Sequence, residues 1–143
     1  KKMNVKDMIC TAIGVIGGAI ASAFGGWNAA LLALIICMAV DYITGIIVAL
    51  VFHNSPKSTG GGLDSAVGFK GLFRKFAVLL IVLVANQMDV LIGTTYIRDA
   101  VVIGFCANEV VSLLENAGLM GIPIPKALLK AIDVLKSKGD KEE

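Results

Sequence analysis

Histidine and cysteine are scarce in this sequence, and their scarcity excludes several classes of functional site. The 143 residues include a single histidine, His53, and three cysteines. Cys10, Cys37 and Cys106 are far apart and each lies in an apolar stretch. They are therefore predicted to be small core residues rather than metal ligands or a disulfide framework. One isolated histidine gives no indication of a zinc site or of histidine-based catalysis.

Motifs for phosphate binding and for serine hydrolysis are also missing. The glycines that end at Gly62 are followed by Lys70 at a spacing that does not fit a phosphate-binding loop. Ser65 does not stand between glycines in the pattern of a nucleophile elbow. We therefore expect no enzymatic activity, no cofactor and no bound metal. The net charge of +2 is close to neutral and gives no indication of a nucleic-acid partner.

Apolar residues, by contrast, are abundant and concentrated in four blocks. They make up 57% of the chain, and the mean hydropathy is +0.83, which is more apolar surface than a soluble domain of this length can bury. The blocks cover residues 8–24, 29–52, 76–92 and 97–114, and we interpret each as a transmembrane helix. The sequence therefore predicts an all-α fold, a single polytopic membrane domain over residues 1–143 with four transmembrane helices.

Two further segments are predicted to be helices at the membrane surface. Residues 63–75 of the central loop are of mixed character, which favours a short interfacial helix. Residues 125–138 show an amphipathic pattern, and we expect this tail to lie on the cytoplasmic surface or to pack beneath the bundle. Its apolar positions at helical spacing are Leu128, Leu129, Ile132 and Leu135.

The basic residues indicate an orientation in the membrane. If both chain termini are in the cytoplasm, every lysine and arginine except Arg98 lies on the cytoplasmic side of the four blocks, as the positive-inside rule requires. A chain with three spans would place the lysines of one terminus outside. We therefore predict four spans, with a cytoplasmic N-terminus and a cytoplasmic C-terminus.

An acidic residue, Asp41, lies near the middle of the second block. An ionised carboxylate at the centre of a membrane helix costs about 2.5–3.5 kcal/mol, so this one must be protonated, paired or in contact with water. Thr44 and Gly45 follow one turn later and give this helix a narrow polar face. Two interpretations stay open: a hydrogen bond that packs helices together, or a pore-lining or proton-sensing residue.

A polar stripe occupies the inner half of the fourth block. Its members recur at spacings of three, four and seven residues and therefore share one side of a helix. They are Asn108, Glu109, Ser112, Glu115 and Asn116. Such a stripe cannot face lipid, so it faces a neighbouring helix, another subunit or a water-lined path.

Two other features predict contacts between helices. Asp89 and Arg98 lie at similar depth near the outer ends of the third and fourth blocks, and we predict an ion pair between them. Gly14 and Gly18 form a Gly-x-x-x-Gly pair, which, like Gly45, lets helix backbones approach closely. The short first block, with its small residues, is suited to a mobile element or to one that forms a homo-oligomer.

The order of these residues resembles a bacteriophage holin family, which includes the toxin-secretion and phage-lysis holins of Gram-positive bacteria. The run from Asp41 to Gly45 is similar to the Asp-Tyr-x-Thr-Gly signature of that family. The other similar positions, in chain order, are Ser65, Gly68, Gly71, Arg74-Lys75, Asp89, Arg98, Asn108-Glu109, Ser112, Glu115-Asn116 and the Gly121–Pro125 exit. The resemblance extends from Val5 to Lys138.

The resemblance implies a protein of the bacterial cytoplasmic membrane that forms homo-oligomers and then lesions. Through such lesions an endolysin reaches the cell wall, and some relatives export toxins instead. The activity is a collective rearrangement of helices and needs no catalytic residue. The lipid bilayer and further copies of the chain are then its partners, and the endolysin or toxin is the released cargo.

Two other functions stay open from the residues alone. One is a small four-helix transporter or ion channel with an intramembrane carboxylate. Small multidrug transporters carry that carboxylate in the first span, where this chain has no acidic residue after Asp7. Those that insert in both orientations need a weak bias of lysine and arginine between the two sides, whereas the bias here is strong. The other is a non-conducting membrane adaptor that recruits a partner through its amphipathic tail.

Overall fold

Five α-helices make up the fold, and no strand occurs among residues 4–142. The computed structural model describes the backbone of residues 4–142 and the side chains of residues 4–134, 137 and 138. The predicted all-α fold is confirmed, while Lys1, Lys2 and the predicted apolar side chain of Leu135 lie outside the described residues. The helices are α1 (Val5–Ala23), α2 (Ala29–Leu50), α3 (Ser65–Ile92), α4 (Tyr96–Leu119) and α5 (Lys126–Glu142).

Capping residues set the bounds of α2 and α3. The Asn28 side chain accepts a hydrogen bond from the backbone N–H of Leu31 at 2.8 Å and begins α2. Asp64 begins α3 in the same way, accepting from the backbone N–H of Ala66 at 2.8 Å. α3 ends at Gly93, whose φ of +73° lies in the left-handed region that glycine adopts without a steric penalty.

α3 is one continuous helix of 28 residues, so the prediction of a separate interfacial helix over residues 63–75 is wrong. No proline interrupts this stretch, and Gly68 is accommodated because it lies against the Tyr42 side chain of α2, 3.5 Å from a Cβ built at that glycine. At 1.5 Å per residue α3 is about 42 Å long, which exceeds the ~30 Å hydrocarbon core of a bilayer. Lys75, assigned to the loop from sequence, therefore lies well inside a helix.

α4 is the central helix of the bundle. It packs against α2, α3 and α5, whereas α2 and α3 contact each other much less. α3 runs opposite to α2 and α4, because the short turn at residues 93–95 reverses the chain into α4. We name the end of the bundle that carries residues 51–64 the loop end. The opposite end, with the turns at residues 24–28 and 93–95, is the turn end.

An apolar layer closes the middle of the bundle. Leu34 and Met38 of α2 pack with Val82 of α3 and Val102 of α4. Leu34 and Val82 have no exposed surface. In a lipid environment such close packing stabilises helix association through van der Waals contacts rather than through removal of water. This layer separates the polar side chains of the loop end from those of the turn end.

Three helices, α1, α2 and α3, are long and apolar enough to cross a membrane. The prediction of a fourth such helix over residues 97–114 is wrong, because the charges of α4 make it too polar. The charged residues of α4 are Arg98, Asp99, Glu109 and Glu115. Its neighbours shelter it: among the described side chains of α4, Tyr96 alone is a large apolar residue that is mostly exposed. α4 therefore depends on the bundle for its environment.

α1 is attached to the bundle at one end. None of its residues is buried, and the Ala23 carbonyl accepts hydrogen bonds from the side-chain amides of Asn86 and Gln87, each at 2.9 Å. A Cβ built at Gly14 or Gly18 would meet no atom within 4 Å. Among the described residues, nothing packs closely against these two glycines, and such packing stays a prediction for contacts between copies.

Candidate functional site

A buried cluster of charges joins α2, α3 and α4. Lys75 Nζ donates hydrogen bonds to Asp41 Oδ2 at 2.7 Å and to Glu109 Oε2 at 2.5 Å. The side chains of Lys75, Asp41 and Glu109 are 16%, 8% and 13% exposed. Because each comes from a different helix, one ammonium group holds three helices together and compensates two carboxylates that would be costly to bury unpaired. We name these three residues the ionic triad.

Asn116 of α4 completes the environment of Asp41. Its Nδ2 lies 3.1 Å from Asp41 Oδ1, 3.2 Å from the Asp41 carbonyl oxygen and 2.9 Å from Thr44 Oγ1. The Thr44 hydroxyl in turn donates to the Asp41 carbonyl at 3.0 Å. Both oxygens of the Asp41 carboxylate are therefore paired, one with Lys75 and one with Asn116, as a buried carboxylate requires.

The run from Asp41 to Gly45 owes its pattern to helix contacts. The Tyr42 hydroxyl donates to the Gly68 carbonyl of α3 at 3.2 Å. Gly45 faces α4, where a Cβ would lie 3.8 Å from Asn116 Nδ2. Ile43, which has no fixed identity in the Asp-Tyr-x-Thr-Gly pattern, is 55% exposed. The other positions of this run thus share one purpose, which is to seat α2 against α3 and α4.

A cavity of about 760 Å³ lies between the three helices and the loop of residues 51–64 at the loop end. The ionic triad is part of its wall, together with Asn108, Ser112 and Glu115 of the predicted stripe. Asn108 and Glu115 are exposed and Ser112 is half-buried. Because these side chains keep exposed surface, the wall of the cavity that carries the ionic triad is accessible to water. Such a cavity satisfies polar groups that could not face lipid.

A second polar cluster at the turn end is centred on Asp89, which is 2% exposed. Its Oδ1 accepts hydrogen bonds from the Thr94 hydroxyl at 2.6 Å and from the backbone N–H of Ile97 at 3.1 Å. Its Oδ2 accepts from the backbone N–H of Arg98 at 2.7 Å. These two N–H groups belong to the first turn of α4, where backbone N–H groups have no acceptor within their own helix. Asp89, at the end of α3, supplies the acceptors and therefore caps α4.

The predicted ion pair between the Asp89 and Arg98 side chains is not formed. The two residues are neighbours, but Asp89 accepts from the backbone N–H of Arg98. The guanidinium group pairs with Asp99 instead, at 3.1 Å from Nη2 to Oδ1, and its Nη1 donates to the Gly25 carbonyl at 3.3 Å. Both carboxylate oxygens of Asp89 already accept hydrogen bonds at the start of α4. The long Arg98 side chain therefore extends to the turn after α1 instead.

Arg98 is thus expected to matter more for assembly of the bundle than a loop lysine does. Arg98→Ala removes the contacts to the turn after α1 and is expected to cost about 1–3 kcal/mol, whereas Lys57→Ala changes an exposed loop residue and should cost less than about 0.5 kcal/mol. Quantifying each variant in isolated membranes by immunoblot checks this. Equal membrane yields for the two variants would contradict it.

Lys75 and Asn86 are absent from the predicted site residues. Lys75 precedes the third apolar block, so the sequence predicts it in the cytoplasmic loop. Its signal in the sequence is indirect: Asp41 and Glu109 are two acidic residues in apolar blocks, and each needs a cation. Asn86, buried near the turn end, has no such signal. Among the described residues, no cluster of histidine, cysteine and acidic side chains could hold a metal ion.

The sequence of this chain is similar to one protein family and to several individual proteins. The bacteriophage holin family matches residues 18–137. An uncharacterised protein of Listeria innocua is 37% identical over 139 residues, covering 94% of both chains. An uncharacterised 14.9 kDa protein in the nagH 3′ region of Clostridium perfringens is 32% identical, covering 94% of this chain and 98% of the relative. The probable holin of Bacillus phage phi105 is 31% identical over 104 residues, covering 72% and 71%.

No solved structure matches this chain. The family match covers most of the sequence, and the ionic triad, the cavity and the Asp89 cap all fall within it. The resemblance seen in the order of the motifs is thereby confirmed, and the chain belongs to the bacteriophage holin family.

Proposed function

We propose that this protein is a holin that oligomerises in the bacterial cytoplasmic membrane and forms lesions there. An endolysin, or a toxin if the gene belongs to a toxin locus of the bacterium, then leaves the cytoplasm through these lesions. Membership of the holin family supports the class of function, and the observation that carries the mechanism is the ionic triad between α2, α3 and α4. The protein needs no enzymatic activity for this role.

The loop end is expected to face the cytoplasm. It carries exposed basic side chains, among them Lys57, Lys70 and Arg74, which are retained on the cytoplasmic side of a membrane. α1, α2 and α3 are apolar enough to cross the bilayer on their own, and α4 runs back from the turn end to the loop end packed against α2 and α3. Both ends of the chain are then cytoplasmic.

Exchange of polar contacts gives this bundle two arrangements of similar free energy. In a single chain the charged side chains of α2 and α4 are satisfied by Lys75, by Asn116 and by the water-accessible cavity. In an assembly of many copies the same side chains face an aqueous lesion. Neither arrangement places an unpaired polar group in lipid, so a modest interaction between copies is sufficient to shift the population from one to the other.

Asp41, Asn108 and Glu109 are expected to line or gate the open lesion, because all three already lie on the wall of the cavity between the helices. Asp41→Leu, Asn108→Ala and Glu109→Leu should each change the time from induction to lysis. Optical density of induced cultures measures this, at membrane abundance matched by immunoblot. A variant whose lysis time equals that of the wild type at equal abundance removes its residue from the lesion wall.

Release of a cytoplasmic muralytic enzyme is the test of the function itself. The enzyme is expressed with and without this protein, and its activity is measured in the medium together with entry of a small impermeant dye. If the protein is a holin, the enzyme appears in the medium and the dye enters the cells, both at a defined time after induction. Dye entry without enzyme release would favour the ion channel. Absence of both dye entry and enzyme release would favour the adaptor.

A further inference from the structure

The loop of residues 51–64 is the segment that the lesion mechanism above leaves without a role. It connects α2 to α3 and is longer than the about 2–8 residues that usually join packed helices. A connection of this length is commonly either disordered or a functional loop that packs on the protein. Here residues 55–58 and 62–64 form part of the wall of the cavity. The loop therefore lies over the cavity.

Hydrogen bonds within the loop hold it in a closed form. The backbone N–H of Ser55 donates to the Gly61 carbonyl at 2.9 Å, and the Ser58 hydroxyl donates to the Gly62 carbonyl at 2.6 Å. These bonds join the two sides of the loop, as in a compact Ω-loop. All four residues are half-buried, whereas most of the other loop residues are exposed. The closed loop is thus a packed element and not a loose connection.

Glycine is needed at one position of this closed loop. Gly61 has a φ of +72°, and a Cβ built there would overlap the carbonyl oxygen of His53. His53 itself has a φ of +48°, in the left-handed region that residues with a side chain seldom adopt. A side chain at Gly61 therefore pushes the two sides of the loop apart. A Cβ built at the neighbouring Gly60 would meet no described atom within 4 Å.

A contact with α4 holds the loop over the cavity. The side-chain amide of Asn54 donates to the Leu119 carbonyl at 3.3 Å. Leu119 is the last residue of α4, and the last four carbonyls of a helix have no N–H partner within that helix. Leu119 also lines the cavity. The Asn54 amide thus supplies a donor to this end of α4 and fixes the loop at the edge of the cavity.

We propose that residues 53–64 form a lid, which closes the cavity at the loop end and restricts the access of solutes to the ionic triad in the single chain. This inference rests on the proposed holin function for its role in the lesion. Water still reaches the cavity wall, because Asn108 and Glu115 keep exposed surface, but a larger solute has to displace the loop. Opening of the lid therefore precedes the arrangement in which these side chains line a lesion.

The reactivity of a thiol on the cavity wall tests the lid. Ser112, half-buried on that wall, is replaced by cysteine in full-length protein whose native cysteines are alanine, and this parent protein is reconstituted in phosphatidylcholine nanodiscs. A bulky, water-soluble maleimide should react several times faster in Gly61→Ala than in Gly60→Ala, because only the first substitution forces the loop open. Asn54→Ala, which removes the contact with α4, should also react faster than the parent.

The thermal midpoint in detergent separates opening of the lid from opening of the bundle. It should stay at the parent value in Gly61→Ala, because the loop opens locally while the helices stay packed. Equal reaction rates in Gly61→Ala and Gly60→Ala would overturn the lid. A faster reaction together with a large fall in the thermal midpoint would overturn it as well, since the whole bundle would then have opened.

Poor accumulation of Gly61→Ala moves the comparison to Asn54→Ala and the parent, for which an unchanged reaction rate also overturns the lid. No culture has to lyse for this measurement, so failure of the lid and failure of the holin function are distinguishable. A faster reaction in Gly61→Ala, with no enzyme released from induced cultures, would support the lid and overturn the holin function.

Discussion

Replacing Lys75 by methionine is expected to destabilise the resting bundle by about 3–5 kcal/mol, the usual cost of removing one partner from a buried charge cluster. Methionine keeps much of the length of the side chain but leaves the Asp41 and Glu109 carboxylates facing each other without a cation. The variant should accumulate poorly in the membrane. Immunoblots of membrane fractions and the thermal midpoint of the purified protein in detergent measure the two effects.

Lys70→Met is the matched control, since Lys70 lies on the same helix with its side chain exposed. A triple variant, Asp41→Asn with Lys75→Met and Glu109→Gln, removes all three charges together and should recover most of the accumulation, because a neutral cluster leaves no charge unpaired. Equal behaviour of the two lysine variants, or no recovery in the triple variant, would show that the ionic triad does not hold the helices.

The second large effect is expected at the turn end, where Asp89→Ala should cost about 2–4 kcal/mol. The substitution leaves the Thr94 hydroxyl and the backbone N–H groups of Ile97 and Arg98 without their acceptor. It also removes a negative charge from the N-terminus of α4. We expect α4 to lose its first turn and its fixed position against α3.

Native thiols report this loss directly. Cys37 and Cys106 are half-buried in the bundle, so their reaction with a maleimide on heating in detergent follows its opening; a Cys10→Ser background removes the exposed thiol. Asp99→Ala is the control, because the Asp99 side chain is 41% exposed and its pairing with Arg98 contributes no more than about 1 kcal/mol. Similar reaction temperatures for both variants would contradict the capping role of Asp89.

Sequence patterns were sufficient for the helical fold and for most of the polar residues of the site. Asp41 and the stripe on α4 were recognisable because a polar side chain within an apolar block stands out against its surroundings. The partner Lys75 was not, because a basic residue at the edge of an apolar block looks like an ordinary loop cation. Only the continuation of α3 back to Ser65 places it beside the two carboxylates.

The error at α4 has the opposite origin. Its length and apolar stretches were typical of an independent span, but independence was the wrong assumption. Hydropathy measures a helix against lipid, whereas most of the surface of α4 faces other helices. The Asp89 cap was missed for a related reason: spacing brings Asp89 and Arg98 together, but it does not distinguish a backbone donor from a side-chain donor.

The unbroken course of α3 connects the two polar clusters of the bundle. Lys75 and Asp89 are about 21 Å apart on a single rod without a hinge. If α3 tilts as a rigid helix about the apolar layer, Lys75 and Asp89 move in opposite directions, because they lie on opposite sides of that layer. Effects of substitutions at these two distant positions should therefore fail to add, in contrast to the usual independence of sites so far apart.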